Sequence, residues 1–535
     1  MHKRRFWGWG YEHEGPDPDQ LAGVRAALGP MLGMDRVERR PPPTLDELEL
    51  RAPRVKPPDQ LASKVSVAPF DRASHSYGKS YRDLVRAFAR DFENPPDLVA
   101  FPEAEADVVA LLDWCSDARV AAIPFGGGSS VCGGVEPAVG GDYKGTLSID
   151  LTKLDRVLEI DPASRAARIQ AGALGPVLEE QLRAEGLSLR HYPQSFEFST
   201  LGGWIATRSG GHFATLFTHI DELVEGLRVV TPHGVVESRR LPGSGAGPSP
   251  DRLFIGSEGA LGIITEAWMR VFTRPRFRAS LTAGFGDFLA GARAVRRIAQ
   301  AGLYPANCRL LDPIEAMLNG AGGGDKAVLI VGFESDDHPL DAWIGRAAEL
   351  VRDLGGEVPD GAIRVKSDEG TLREGASAAW RQAFIRAPYL RDELVALGVF
   401  VETFETATTW DRFNDLYSAV GAAARESANS TGGASIVTCR ITHAYPDGAA
   451  PYFTVITPAR RGAELEQWSI IKGAITDAML DHGGTVTHHH AVGRDFRPWY
   501  DRQRPEGFAT TLGAAKRALD PAGVLNPGAL LPAPG

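Results

Sequence analysis

A chain of 535 residues, 43% hydrophobic and 24% charged, is long enough for two cored domains and too evenly mixed to be disordered. Lys and Arg number 58 against 68 Asp and Glu, a net charge of −10, which argues against a general nucleic-acid binder. Any anionic substrate must therefore be caught by a local basic pocket.

Cys115, Cys132, Cys308 and Cys439 form no CxxC pair, so neither a disulfide framework nor a cysteine zinc site is expected, and a reducing cytoplasm fits. No window reaches the roughly 18 apolar residues of a spanning helix. The basic stretch from Met1 to Glu14 lacks the apolar core of a signal segment, and Pro532 to Gly535 is no lipidation or peroxisomal address. Membrane contact is expected to be peripheral if it occurs.

Residues 1–93 alternate aromatic, charged and Pro-rich patches with short helical candidates such as Asp46 to Leu50, and read as an N-terminal extension. From Asn94 the texture changes. Val108, Val109, Leu111 and Leu112 share one helical face, and Val120 to Pro124 is a short buried strand entering a Gly-rich loop. Further strands are predicted at Leu147 to Leu151, Val157 to Ile160 and Ala167 to Gln170. A helix from Pro176 to Glu185 is capped by Gly186. Pro232, His233 and Gly234 mark a hairpin, and Leu261 to Phe272 is an apolar strand region ending before Pro275. The layout is α+β, with a domain at 94–275, a second at 276–497 and a C-terminal segment at 498–535 that returns to the first. In the second domain, Trp468, Ile471, Ile475 and Met479 define a helix stopped by Gly483 and Gly484, just before His488, His489 and His490.

Three glycine-rich loops carry the chemistry of the first domain. The first runs from Pro124 through Gly126, Gly127, Gly128, Ser129 and Ser130 to Gly134, where backbone N–H groups can converge on an anion without Cβ obstruction. It lacks the P-loop lysine and the GxGxxG spacing. The second holds Pro193, Ser195, Thr200, Gly202 and Gly203, followed by Ser209. The third, with Glu258, Gly259, Gly262 and Ile264, spaces its glycines to leave one backbone edge bare. Each alone reads more readily as a turn; three in one domain suit a large dinucleotide.

The order of these loops, with Asn94 to Asp97 before them and Asp520 to Gly528 at the end, resembles the FAD-linked flavoenzymes of the vanillyl-alcohol oxidase fold. The resemblance implies a PCMH-type FAD-binding domain beneath a cap domain. No histidine lies in the first loop where some members link their flavin, so non-covalent FAD is expected.

In an extended segment alternate side chains face opposite ways, so at most His488 and His490 are expected to share a site. The run lacks zinc-site spacing, and no metal is expected. Proton transfer or anion binding stands beside a surface or capping role for these histidines. Tyr452 suits a core position and Arg391 a solvated ion pair on a helix. Beyond these residue readings, the chain resembles the alkyldihydroxyacetonephosphate synthase family, in the cap and in the N-terminal entry to the FAD domain. The likeness runs in order through Trp7-Gly8-Trp9-Gly10, Cys308 to Asp312, Tyr389 to Asp392, Glu402 to Thr406, Thr438 to Arg440, Tyr445 to Phe453 and the three histidines with Val492 to Arg494. Where that pattern reads Tyr-Gly-Asn-Ile-Glu-Asp, this chain has Phe217, Thr218, His219, Ile220, Asp221 and Glu222.

By position, the resemblance implies Arg391 for the substrate phosphate, Tyr452 as active-site tyrosine, and His489 and His490 for phosphate binding and proton transfer. It places His488, Arg309, Thr403 and His191 at substrate-binding positions. The implied reaction exchanges the acyl group of acyl-dihydroxyacetone phosphate for a fatty alcohol through a flavin N5 adduct, without net redox change. A homodimer docking weakly on membranes is implied too. The alternative is an FAD-linked dehydrogenase or oxidase of a 2-hydroxy acid or alcohol, because the same FAD domain supports both. A third is a flavoprotein that binds without turnover.

Overall fold

The computed structural model describes residues 3–15, 18–34, 37–367 and 387–533. Met1, Pro534 and Gly535, which bear on the reading of the chain ends, lie outside them. The first lobe is built on parallel strands Leu98–Ala100, Gly145–Asp150 and Val120–Phe125, with Val65–Ser66 added antiparallel at one edge. Leu98–Ala100 and Val120–Phe125 read as apolar runs because both faces are covered, while Gly145–Asp150 is buried throughout although Thr146, Ser148 and Asp150 alternate with its apolar residues. Helix Glu105–Ala118 contributes Val108, Leu111, Leu112 and Cys115 to that core, on the face its periodicity predicts.

A second lobe is a five-stranded antiparallel sheet in the order Val157–Asp161, Ala166–Gln170, Ile263–Arg270, Val224–Thr231 and Gly234–Glu237. The hairpin at Pro232 to Gly234 is present. The apolar run from Leu261 to Phe272 is not one strand: Ile263–Arg270 ends, and Phe272–Thr273 pairs with Leu187–Ser188 instead. The short helix expected at Asp46 to Leu50 is a single 3-10 turn, Leu45–Glu47.

Among the described residues the cap is an eight-stranded antiparallel sheet. Its path runs Ile363–Lys366, Phe277–Phe285, Ala327–Ser335, Asn307–Leu311, Ile436–Ala444, Gly448–Pro458 and Val399–Glu405, with Thr408–Thr409 beside Gly448–Pro458. Helices Phe288–Ala299, Asp341–Asp353, Phe413–Gly432 and Glu464–Asp481 cover one face and share its large core. Strand alternation then sends every second side chain to the opposite face, toward the glycine-rich loops.

The N-terminal stretch is stitched to both halves. Helix Pro18–Leu32 packs Leu28 and Leu32 on Leu394, Leu397, Val399 and Val401. Arg4 donates to the Gly127 carbonyl at 2.9 Å, and the Trp9 N–H donates to buried Asp392 at 2.5 Å. At the other end Leu525 bridges Ala122, and the Asn526 amide donates to the carbonyls of Gly134 and Glu258.

Candidate active site

Period-two alternation builds the cap wall of the site. In Val399–Glu405, Phe400 and Phe404 enter the core under the helices, leaving Thr403 and Glu405 on the other face. In Ile436–Ala444, Cys439 and Ile441 go inward and Arg440 outward; in Gly448–Pro458, Phe453 and Val455 go inward and Tyr452 outward. Register places Tyr452 directly between Glu405 and Arg440. The Arg440 guanidinium sits 3.7 Å from the centre of the Tyr452 ring and is fixed at 2.5 Å by Glu315. A bulge between Ile441 and His443 puts His443 beside Thr442 on the site side, where unbroken alternation would have turned it into the core.

The three histidines do not follow the expected alternation. Residues 487–490 form no strand but a bent loop, and consecutive rings meet: His488 and His489 through their Nδ1 atoms at 3.0 Å, His489 and His490 with centroids 4.7 Å apart. Glu405 supplies the physical reason. Its buried carboxylate accepts the backbone N–H groups of His488 at 2.5 Å, His489 at 3.1 Å and His490 at 3.0 Å, and the Thr487 hydroxyl as well. One carboxylate with up to four lone-pair sites gathers a run of donors that a strand would point in opposite directions. Downstream, Ala491 adopts a left-handed φ of 73°, and the Val492 and Gly493 N–H groups donate to Glu258 at 2.8 and 2.7 Å. Burial raises the Glu258 carboxyl to about 7.

Opposite the cap lie the first two glycine loops. Gly126, Gly127, Gly128, Ser129 and Ser130 share a cavity of about 210 Å³ with Pro193, Ser195, Thr200, Gly203 and Ser209. Arg309, Arg391, Thr403, Arg440, Tyr452, His489 and His490 line the same cavity. A Cβ on Gly127 would overlap the Phe198 carbonyl, and one on Gly126 the Thr200 hydroxyl, so the two loops meet only because those side chains are absent. The bare backbone and serines suit the pyrophosphate of FAD, and the cap residues face it.

Several predicted residues stand behind this wall. Pro124 lies in strand Val120–Phe125 under Gly259, and Gly202 packs on Ala171. Gly262 packs on Val229, and Ile264 is a core residue. Glu258 holds the histidine loop. His191 is buried, its Nε2 2.9 Å from Ser209 Oγ, and His488 sits behind His489. A separate cavity of about 800 Å³ shares Pro193 and Gln194 with the first but holds none of the cap tyrosine and histidine chemistry.

The site is cationic, lined by Arg309, Arg391 and Arg440. Burial lowers His489 and His490 to about 3 and His443 well below the usual imidazole range, so all three rings are neutral near pH 7. Burial lowers Arg309 to about 9, with Arg440 adding to the effect. Burial also raises the Tyr452 phenol, which keeps its proton, against the pull of Arg440. Arg391 donates to the Lys79 carbonyl, while its buried Nε has no hydrogen-bond partner among the described residues. Nitrogens of His443, His488 and His489 come within 4.8 Å of one another, yet hydrogen bonds already engage both nitrogens of His443 and of His488.

The residues missed from sequence were His219, His443 and Glu405 as partners of the histidine run. His219 stood out only as a departure from a pattern, and His443 depends on the bulge. Glu405 was visible as a motif member without a role.

The two-lobed domain, the cap and the cavity between them define an FAD-binding flavoenzyme. Residues 96–238 match the FAD binding domain family and residues 274–530 the C-terminal domain of FAD linked oxidases. Alkyldihydroxyacetonephosphate synthase of Dictyostelium discoideum is 30% identical over 94% of this chain and 84% of that protein. The synthase of Trypanosoma brucei brucei is 31% identical over 94% and 83%. A solved structure of alkyldihydroxyacetonephosphate synthase superposes with a TM-score of 0.81 at 25% identity, covering 98% of each chain. The chain belongs to the alkyldihydroxyacetonephosphate synthase family.

Proposed function

We propose that this enzyme exchanges the acyl group of acyl-dihydroxyacetone phosphate for a fatty alcohol, forming an ether-linked product. The observation that carries the reading is the convergence of Arg391, Tyr452, His489 and His490 on one cavity whose far wall is the glycine loops. FAD, held non-covalently by Gly126 to Ser130, Ser195, Thr200, Gly203 and Ser209, supplies a nucleophilic, electron-accommodating ring for exchange at C1.

The chain's own residues bind, orient and move protons. A guanidinium forks a phosphate bidentately, and Arg391 brings a buried Nε and a cavity-facing position to that task. Arg309 and Arg440 add positive charge around the dianion, and Thr403 adds a hydroxyl on the same wall. Neutral imidazoles of His489 and His490 can accept the C1 proton, while the Tyr452 phenol, still protonated, can return one. Such a site needs no external electron acceptor, because what leaves is a fatty acid.

No described helix is long and apolar enough to cross a membrane. Peripheral, cytoplasmic-side contact with a bilayer supplying the long-chain substrate, and a homodimer, complete the reading. The test is transfer of labelled hexadecanol to palmitoyl-dihydroxyacetone phosphate without oxygen or acceptor. Stoichiometric ether product with release of palmitate is expected, and its absence from flavin-loaded enzyme sinks the reading.

A further inference from the structure

The Arg208 carbonyl lies 2.9 Å from Nδ1 of His219. A carbonyl only accepts, so neutral His219 carries its proton on Nδ1 and a lone pair on Nε2. His488 Nε2 is 3.1 Å from that lone pair and must donate to it. The same N–H reaches the Tyr445 hydroxyl at 2.7 Å, whose own proton can turn to Thr218 Oγ1, 3.2 Å away. With its proton on Nε2, His488 has a lone pair on Nδ1, and His489 Nδ1 at 3.0 Å is the donor. His489 is left with a lone pair on Nε2 and lines the active-site cavity. One backbone carbonyl thereby orders three rings in series, from partly exposed His219 to the cavity wall.

We propose that His489, His488 and His219 form a proton relay between the active-site cavity and solvent. The relay rests on the proposed exchange reaction and specifies where its C1 proton goes. His489 Nε2 takes that proton; the His489 Nδ1 proton passes to His488 Nδ1, and the His488 Nε2 proton to His219 Nε2. The first transfer breaks the C1–H bond and makes an N–H bond; each of the two that follow makes one N–H bond and breaks one. The charge comes to rest on His219 as an imidazolium that keeps its Nδ1–H on Arg208, exchanges with water, and sends a proton back when C1 is reprotonated.

The surroundings agree. Burial holds His488 well below the usual imidazole range and His489 near 3, so neither ring traps the proton on the way. Glu405 Oε2, 3.4 Å from His489 Nδ1, stabilises the passing charge. His443 packs against both rings but stays outside the path, since its Nε2–H is committed to the Gly211 carbonyl at 3.1 Å.

Two readouts on the flavin-loaded enzyme test the relay. In deuterium oxide, uptake of deuterium at C1 of palmitoyl-dihydroxyacetone phosphate is expected to slow at least about tenfold in His219→Ala, with KM within about twofold, and to recover with added imidazole. Unchanged uptake in the variant, or no recovery with imidazole, overturns the relay. If the wild type itself neither exchanges C1 nor transfers hexadecanol, the function reading fails, and the relay is then decided by 15N-histidine spectra at neutral pH. These are expected to show His219 and His489 protonated on Nδ1 and His488 on Nε2; a proton on Nε2 of His489 overturns the relay whatever the substrate.

Discussion

Tyr452 is held by its neighbours on three sides: Glu405 and Arg440 in register, the Arg440 guanidinium against its ring, and the His490 ring at 5.7 Å and 87°. The hydroxyl adds only a hydrogen bond to Thr403. Tyr452→Phe is therefore expected to keep the fold and bound flavin while lowering kcat for alkyl transfer about a hundredfold or more. Steady-state kinetics at matched flavin absorbance check this. Arg391→Ala should act differently, because a charge-assisted phosphate contact is worth about 1.5–3 kcal/mol. Its KM for the phosphate substrate should rise roughly 10- to 100-fold, and an unchanged KM removes Arg391 from the phosphate site. At this scale the sequence was partly legible. Arg391, Tyr452 and His490 could be placed by family likeness because each sits in a motif. The linkage of His219 to His488 spans 269 positions and no local pattern carries it.

Loops and strands differ in how their geometry is specified. Strands such as Val120–Phe125 and Val224–Thr231 show in sequence because burial on one or both faces writes a period of two or an unbroken apolar run. The histidine loop does not, because its shape is imposed by Glu405 from another strand and by Glu258 from another domain. Hence the expected alternation of His488, His489 and His490 fails. The glycine loops were legible as composition, but their mutual contact was not. Gly127→Ala pushes a methyl into the Phe198 carbonyl, and that backbone cannot give way as the end of a flexible side chain would. The variant is expected to purify with flavin occupancy reduced about tenfold or more while far-ultraviolet circular dichroism stays near wild type, consistent with the strain of about 1–3 kcal/mol that such overpacking entails. Full occupancy contradicts the cradle.

Across the whole molecule, the N-terminal stretch and the C-terminal segment tie the FAD lobes to the cap, and the buried imidazoles lie at the seam. This couples stability to pH with a definite sign. His490 titrates near 6.5 when unfolded and about 3 when folded, so between those values the unfolded chain binds more protons. Its neutral burial stabilises fully above about 6.5, and that contribution is lost as pH falls toward 3. The difference in Tm between wild type and His490→Asn should therefore shrink from pH 7 to pH 5, as differential scanning calorimetry would show. A difference that widens on acidification contradicts a neutral ring.

With flavin bound, the enzyme is expected to carry out an exchange with no net redox change. Its most direct test is the visible spectrum of the flavin-loaded enzyme, followed anaerobically through many turnovers with palmitoyl-dihydroxyacetone phosphate and hexadecanol. The account predicts palmitate and ether product accumulating in equal amounts while the flavin ends fully oxidised, with D-2-hydroxy acids leaving it unbleached. Stoichiometric bleaching by a D-2-hydroxy acid, with no ether formed, would contradict it.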